Sequence, residues 1–454
     1  MRVMLSKSEA RGTVIVPASK SLTIRALMCA ALSKGTSHIE HPLVSEDTEA
    51  AARVLGQLGI NIVQDKDVWT VEGGTFHASK EDIHCGESAT TLRFITAICS
   101  LIPGTHRIVG GPSLLHRPVK SLIEALRKLG VNCDMEGKTT PPVVVEGGTL
   151  KGGLTSIAGN ISSQFISAIM LIAPYAQQEI SIRLTTPLAS RPYVLMTLWT
   201  LRQFGINAKS LVDRFVVSRG RYTPCDLAVE GDWSSASYFL ALGTASEGIT
   251  VDNLRTGSLQ GDRVIVDYIR AMGALVRVKG QSVTVSERPL HGIHADMADC
   301  IDLLPTMAVL ATLAVGVTEL TGIERARIKE SNRVMAVRQG LERLGVTVVE
   351  DQDRLLITGI RTPKTVAASY EDDDEDGEAS AAPLEDVRPV IINSCDDHRI
   401  AMAFGVLGAI ISGETINETT FGKVVIDGAE CVAKTFPEFW DRLKALGVEM
   451  HTGG

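Results

Sequence analysis

A chain of 454 residues with a formal charge of −8 is long enough for two or more domains. Seven of its carboxylates fall in Glu371-Asp372-Asp373-Asp374-Glu375-Asp376-Gly377-Glu378, so the remainder is close to neutral and offers no broad basic surface to nucleic acid. The longest unbroken apolar stretch, Ala401 to Ile411, falls well short of the ~20 residues that cross a bilayer. Residues 1–10 carry Arg2, Lys7 and Glu9 and no apolar core, so neither a membrane segment nor a signal peptide is expected. Eight cysteines without a CxxC pair suit the reduced thiols of a cytoplasm.

In chain order, six amphipathic helix patterns end in an apolar residue and a glycine: Leu58-Gly59, Leu129-Gly130, Phe204-Gly205, Met272-Gly273, Leu344-Gly345 and Leu446-Gly447. The intervals between these glycines run 71, 75, 68 and 72 residues, then 102. Glycine there fits the left-handed residue that closes a helix. Upstream of each mark a second helix is expected, opening near Ser19, Glu87, Ser162, Asp232, Asp299 and Asp396 and running apolar on nearly all sides, as in Ala26-Leu27-Met28-Cys29-Ala30-Ala31-Leu32. Such helices belong in a core. Each repeat therefore reads as strand, buried helix, strand, amphipathic helix and two closing strands. The long last interval coincides with the acidic run, and residues 365–388 are expected to be a disordered surface insert.

Because the scaffold repeats, residues present in one copy only are the candidates for function. A buried helix opening offers unpaired N–H groups and about half a positive charge. Several openings also carry cations. Lys20, Ser21 and Arg25 stand in Ser19-Lys20-Ser21-Leu22-Thr23-Ile24-Arg25; the bland alternative is a Ser19 cap with solvated cations. Lys329 and Arg333 stand in Ile328-Lys329-Glu330-Ser331-Asn332-Arg333. Read as i,i+4 neighbours on one helix face, they cost stability unless an anion sits between them, and Glu330 beside them could move protons. His398 and Arg399 follow Asp396-Asp397 at another opening, and Arg117 and Lys434 are single cations after loop-like segments. Asp302, inside Cys300-Ile301-Asp302-Leu303-Leu304, is either a cap or a buried base. His291, His294, Asp296, Asp299 and Cys300 crowd together, but their spacing matches no zinc pattern; Asp299 reads as a cap. These groups suit binding of phosphate and carboxylate and proton transfer, with no metal and no cofactor.

Several stretches, in order over nearly the whole chain, resemble the 5-enolpyruvylshikimate-3-phosphate synthase family: Lys20-Ser21 to Arg25, Gly86-Glu87-Ser88-Ala89-Thr90-Thr91-Leu92-Arg93, Arg117-Pro118, Ser162-Ser163-Gln164, Ser190-Arg191-Pro192-Tyr193, Ile328 to Arg333, Asp397-His398-Arg399 and Ala433-Lys434-Thr435-Phe436-Pro437. The resemblance implies a two-domain inside-out α/β barrel of six βαβαββ units, three per domain, with residues 18–229 as one domain and residues 1–17 plus 230–454 as the other. It implies a cytoplasmic, monomeric enzyme of the shikimate pathway of aromatic amino-acid biosynthesis. Such an enzyme transfers the enolpyruvyl group of phosphoenolpyruvate to the 5-hydroxyl of shikimate 3-phosphate and releases phosphate.

By position, Ser21, Arg25, Ser162, Ser163, Gln164, Ser190, Tyr193, Asp302 and Lys329 would bind shikimate 3-phosphate. Lys20, Ala89, Thr90, Arg117, Gln164, Arg333, Arg399 and Lys434 would hold phosphoenolpyruvate. Asp302, Glu330, Lys20 and His398 would be catalytic: Asp302 with Lys20 or Lys329 takes the hydroxyl proton, Glu330 serves the methylene carbon, and His398 lies near the leaving phosphate. Two residues depart from the family's usual Gly-Asn-Ala/Ser-Gly-Thr, namely Glu87 and Ala89. Glu87 brings a negative charge toward a phosphate site. The Ala89 methyl is expected to clash with glyphosate and confer tolerance. Two rivals remain: a UDP-N-acetylglucosamine enolpyruvyl transferase, whose loop cysteine and Lys-Asn pair have no counterpart in Gly110–Arg117 or Lys20-Ser21, and a non-catalytic phosphometabolite-binding protein, which would be expected to lose Asp302 or Glu330.

Overall fold

The computed structural model describes residues 1–362, 388–416 and 419–453; the acidic insert expected at 365–388 lies outside them apart from Arg388. The chain divides into two compact units: an inserted unit of Ala18–Gly231 with Leu259–Gly261, and a terminal unit of Met1–Pro17, Asp232–Ser258 and Asp262–Gly454. Each unit has its own apolar core.

All six glycine marks terminate helices. The amphipathic helices are Glu46–Gln57, Lys120–Lys128, Arg191–Gln203, Ile265–Ala271, Arg333–Arg343 and Phe439–Ala445, and each following glycine has a positive φ, from +74° at Gly345 to +109° at Gly273. The same pair of hydrogen bonds recurs every time. Gly59 N–H donates to Gly56 O at 3.0 Å while Ile60 N–H reaches back to Leu55 O at 3.0 Å, and the equivalent pairs follow at Gly130, Gly205, Gly273, Gly345 and Gly447. This is the Schellman closure, which needs a left-handed residue followed by an apolar one. That apolar residue (Ile60, Val131, Ile206, Ala274, Val346 or Val448) is buried in each copy.

The second helices are Lys20–Leu32, Ala89–Cys99 and Ser163–Ile172 in the inserted unit, and Trp233–Gly243, Leu304–Thr312 and His398–Ile411 in the terminal unit. Every residue of Trp233–Gly243 is buried, as is every residue of His398–Ile411. With three such helices inside each unit, the sheets lie outside them, and strands such as Ser282–Ser286 alternate buried and half-buried positions. This is an inside-out α/β arrangement of six βαβαββ repeats, three per unit. The fifth helix starts later than expected: a 3₁₀ turn, Ile301–Leu303, intervenes, and its opening residue is Cys300 rather than Asp299.

Six four-stranded sheets share one order: a leading strand, a parallel neighbour from after the buried helix, then two antiparallel closing strands. Two leading strands are exchanged along the sequence. Arg11–Ile15 precedes the first buried helix, yet pairs parallel with Gly248–Asp252 of the fourth repeat, Arg11 opposite Gly248. Leu227–Ala228 precedes the fourth buried helix, yet pairs with Gly35–Glu40 of the first. In the sixth sheet the N-terminal strand Arg2–Leu5 supplies the missing closing strand, between Val424–Asp427 and Met450–Gly453. Both chain ends are thereby tied into one sheet.

Candidate active site

In the inserted unit, the functional residues stand at the openings of the buried helices. Lys20 is the first residue of its helix and is not solvated: its Nζ lies 2.8 Å from Asp47 Oδ2, with both side chains largely buried. Ser19 occupies the cap position but makes no cap bond, and its buried hydroxyl has no hydrogen-bond partner among the described residues. Arg25 is 1% exposed. Its guanidinium donates to Thr197 Oγ1 (2.8 Å), Ser21 O (2.8 Å) and Tyr193 O (3.1 Å) and lies 5.5 Å from the centre of the Phe94 ring. Among the described residues no carboxylate pairs with it, and burial pulls its pKa down to about 10. A guanidinium held by neutral groups keeps its charge available to an anion.

A second group in the same unit forms around Arg93, which the sequence reading left out of the site. Arg93 Nη1 donates to Gln164 Oε1 and to Ser162 Oγ (3.3 Å), and Nη2 to Pro118 O (3.4 Å); the head lies over the Phe165 ring at 4.9 Å. Gln164 Nε2 in turn donates to Thr90 Oγ1 at 3.0 Å. Ser162 caps its helix through Gln164 N–H, and Ser163, Ala89, Thr90, Ser190 and Arg117 are all buried. Ser190 is left-handed, with φ +54°, and its carbonyl accepts from Tyr193 N–H at 3.2 Å. Glu87, whose charge the sequence left uncompensated, accepts from Ser113 N–H (3.1 Å) and from the Ser113 hydroxyl.

In the terminal unit the cations converge on Asp302. Its Oδ1 accepts from Arg333 Nη1 (2.7 Å) and Lys329 Nζ (3.2 Å), and its Oδ2 from Arg399 Nη2 (3.0 Å). Asp302 is thus an ion-pair centre, not a cap. Arg333 also pairs with Glu330 and with Asp397 Oδ2 at 2.8 Å. Asp397 further accepts from Ser331 Oγ (3.0 Å) and caps its helix through Arg399 N–H (3.0 Å). Lys434 Nζ lies 2.7 Å from Asp396 Oδ2, and the buried His398 Nδ1 lies 4.0 Å from Asp397 Oδ1.

One step of the sequence argument fails here. Lys329 is extended and precedes the helix Arg333–Arg343, capped by Asn332, so no shared helix face unites Lys329 and Arg333. They meet because both donate to the same Asp302 oxygen.

Burial would push the Asp302 carboxyl up, but Arg399, Lys329 and Arg333 together outweigh it and hold it well below the ordinary range. Burial pulls Lys329 down to about 8, against the raising effect of Asp302. Asp262, also missed from sequence, goes the other way. It is 1% exposed and bonded to the Ser234 hydroxyl; burial first, then the charge of Asp302, push it up to about 7. Among the described residues no group of three or more His, Cys, Asp or Glu is placed to hold a metal ion; His294 Nε2 instead meets Thr321 Oγ1 at 3.2 Å.

Buried helix openings carrying guanidinium, ammonium and carboxylate groups define a protein built to bind small polyanions and move protons. The family model for EPSP synthase (3-phosphoshikimate 1-carboxyvinyltransferase) matches residues 6–443. The chain is 42% identical over 451 residues to a 3-phosphoshikimate 1-carboxyvinyltransferase of Dehalococcoides mccartyi, covering 98% of each chain. It is 37% identical to that of Methanocaldococcus jannaschii, covering 97% and 96%. The EPSP synthase structure from Acinetobacter baumannii superposes with a TM-score of 0.75 at 26% identity, over 99% of this chain and 100% of that one. The enolpyruvyl transferase NikO from Streptomyces tendae, 16% identical with a TM-score of 0.72 over 99% and 98% of the two chains, shares the fold. The chain belongs to the EPSP synthase family.

Asp262 yields a stability test. Its folded pKa of about 7 stands above the ordinary 3.8, so between those values the folded state holds the extra proton and stability from this group falls as pH rises. Asp262→Asn keeps an acceptor for Ser234 and removes the charge. Its melting temperature relative to the parent should be higher at pH 8 than at pH 4.5, and an equal difference at both pH values would contradict the assignment.

Proposed function

We propose that this protein transfers the enolpyruvyl group of phosphoenolpyruvate to the 5-hydroxyl of shikimate 3-phosphate and releases phosphate, through a tetrahedral intermediate and by acid–base catalysis. The observation that carries the chemistry is the Asp302 centre, a largely buried carboxylate shared by three cations with Glu330 alongside. Family membership supports the substrates. On this reading the catalytic domains are residues 18–229 and residues 1–17 plus 230–454, the assembly is a monomer because each unit closes its own core, and eight unpaired thiols favour a cytoplasmic setting.

In the inserted unit, Ser21, Arg25, Ser162, Ser163, Gln164, Ser190 and Tyr193 are assigned to shikimate 3-phosphate, and Lys20, Ala89, Thr90 and Arg117, with Gln164, to phosphoenolpyruvate. In the terminal unit, Arg333, Arg399 and Lys434 are assigned to phosphoenolpyruvate, and Asp302 and Lys329 to shikimate 3-phosphate. The 5-hydroxyl adds to C2 of phosphoenolpyruvate while C3 gains a proton. Then C3 loses a proton as the C2–O bond to phosphate breaks. Lys329, near 8, matches the first proton transfer best at neutral pH. Asp302 becomes a stronger base once an anion engages Arg333 and Arg399, because the charges that depress its pKa are then shared. Glu330 serves C3 in both steps, and His398 is assigned to the leaving phosphate.

Phosphate release with phosphoenolpyruvate plus shikimate 3-phosphate, and none with UDP-N-acetylglucosamine as acceptor, is the expected outcome; the reverse pattern, or silence with both, would overturn the reading. Glu330→Gln should lower kcat by about 10²–10⁴-fold with little change in substrate affinity, and an unchanged kcat would remove Glu330 from the mechanism.

Ala89 sits 7% exposed at the first turn of its helix. Glyphosate should inhibit weakly, and Ala89→Gly should tighten it about tenfold or more, the range one methyl group commands in a tight pocket; no gain would refute the steric account.

A further inference from the structure

The loop from Gly110 to Pro118 carries one buried cation, Arg117, and is fastened at both ends. At its far end Pro118 O accepts from Arg93 Nη2 at 3.4 Å, and Arg93 is itself held by Gln164 and Ser162. At its near end the fastening is made by the turn that precedes the helix Ala89–Cys99. Gly111 N–H donates to Gly86 O at 2.7 Å, and both the N–H and the hydroxyl of Ser113 donate to one oxygen of Glu87. From Ser113 a single 3₁₀ turn, Leu114–His116, leads to Arg117, whose N–H closes on Leu114 O at 3.1 Å. Leu114 is buried in the core.

The fit around Glu87 is close. A Cβ built on Gly111 would stand 1.9 Å from Glu87 Oε1 and 2.6 Å from its Cδ. Glycine at 111 therefore exists for the sake of the carboxylate, since the backbone there does not have positive φ. A side chain at 111 would crowd Oε1 and Cδ of Glu87 and force the carboxylate that Ser113 holds through Oε2 to shift.

We infer that Glu87 is a positioning residue: its carboxylate latches the Gly110–Pro118 loop to the opening of the helix Ala89–Cys99 and thereby fixes Arg117 for the anionic co-substrate. The charge is spent on two donors of the loop, an N–H and an O–H, and both are satisfied by the ionised form. The inference rests on the proposed assignment of Arg117 to phosphoenolpyruvate. It opposes the simpler expectation that a carboxylate at 87 faces the ligand and repels it.

The two readings predict opposite signs. If Glu87 is the latch, Glu87→Ala raises KM for phosphoenolpyruvate about tenfold, which corresponds to losing one well-made contact. KM for shikimate 3-phosphate stays within about twofold. Glu87→Gln, which keeps an acceptor for Ser113, stays near the parent. Gly111→Ala reproduces Glu87→Ala, and the double variant is no worse than either, because both remove the same contact. If the charge faces the ligand, Glu87→Ala and Glu87→Gln both lower KM for phosphoenolpyruvate, and the latch is overturned. Equal rises in both KM values would also overturn it.

Hydrogen exchange at Gly111 and Ser113, read without substrates, separates this inference from the activity. Faster exchange in Glu87→Ala and in Gly111→Ala, but not in Glu87→Gln, supports the latch even if the parent protein does not turn over these substrates. Unchanged exchange in both rejects it. Should Glu87→Ala fail to fold, Gly111→Ala carries the same readouts.

Discussion

Three cations sharing one largely buried carboxylate is an arrangement with little tolerance for loss. A buried ion pair gains little over an apolar packing, but removing one partner costs about 3–5 kcal/mol because the other charge is stranded. At Asp302 three cations would lose a shared partner at once, Lys329, Arg333 and Arg399, although Arg333 would keep Glu330 and Asp397. The same residue joins three separate pieces of the terminal unit: the 3₁₀ turn Ile301–Leu303, the segment before the helix Arg333–Arg343, and the opening of the helix His398–Ile411. Asp397 repeats the device one layer away, capping its own helix while it holds Arg333. Charge therefore aligns the fifth and sixth repeats where they meet.

The division of labour follows from the repeat. Six Schellman closures and six buried helices need the same residues in every copy: an apolar residue, a glycine, an apolar residue, and a helix without a polar face. None of these can vary without loss of the fold. The turn that opens each buried helix is under no such demand beyond a cap, and caps can be Ser, Asp or Asn. Function accordingly collects there. Ser88, Ser162, Asp232 and Asp397 cap through their side chains, whereas Ser19 does not, and it is at the Ser19 opening that a largely buried lysine and a neutral-bound arginine stand together.

What could be read from the chain divides along the same line. The marks at Gly59 through Gly447 and five of the six helix openings were legible to within a residue or two because they rest on local rules, a left-handed closure and an apolar run; the fifth helix begins only at Leu304, after a 3₁₀ turn. Cations without obvious partners, such as Lys20 and Arg25, were legible as anomalies. Their partners were not. Asp47 pairs with Lys20 across 27 residues, and Asp262 meets Ser234 across 28; nothing local distinguishes either carboxylate from a solvated one. Lys329 and Arg333 were placed together for the wrong reason, since an i,i+4 rule presumes a helix that does not begin until Arg333. The exchange of Arg11–Ile15 and Leu227–Ala228 was legible only through the family resemblance, whose implied domain bounds put residues 1–17 with 230–454, and not through the residues themselves. A strand of two to five residues carries no mark of which sheet it joins, and both precede the helix of one repeat while pairing with another.

The electrostatics of the terminal unit also explain why its acids and bases differ so much over so short a span. Asp262 is buried and Asp302 largely so, and desolvation alone would push both up. Asp302 has three cationic hydrogen-bond donors and is held ionised; Asp262 has a serine hydroxyl and rises to about 7. Lys329 falls to about 8, chiefly through burial, with Asp302 opposing the fall and Arg333 adding to it. One proton-accepting carboxylate, one near-neutral lysine and one carboxyl that titrates near neutrality thus arise from a single uneven distribution of guanidinium groups. An anion that competes for those guanidiniums shifts every member of the set at once, Asp302 most of all because it has the most to lose. Substrate charge, on this account, is what turns a structural ion-pair centre into a base.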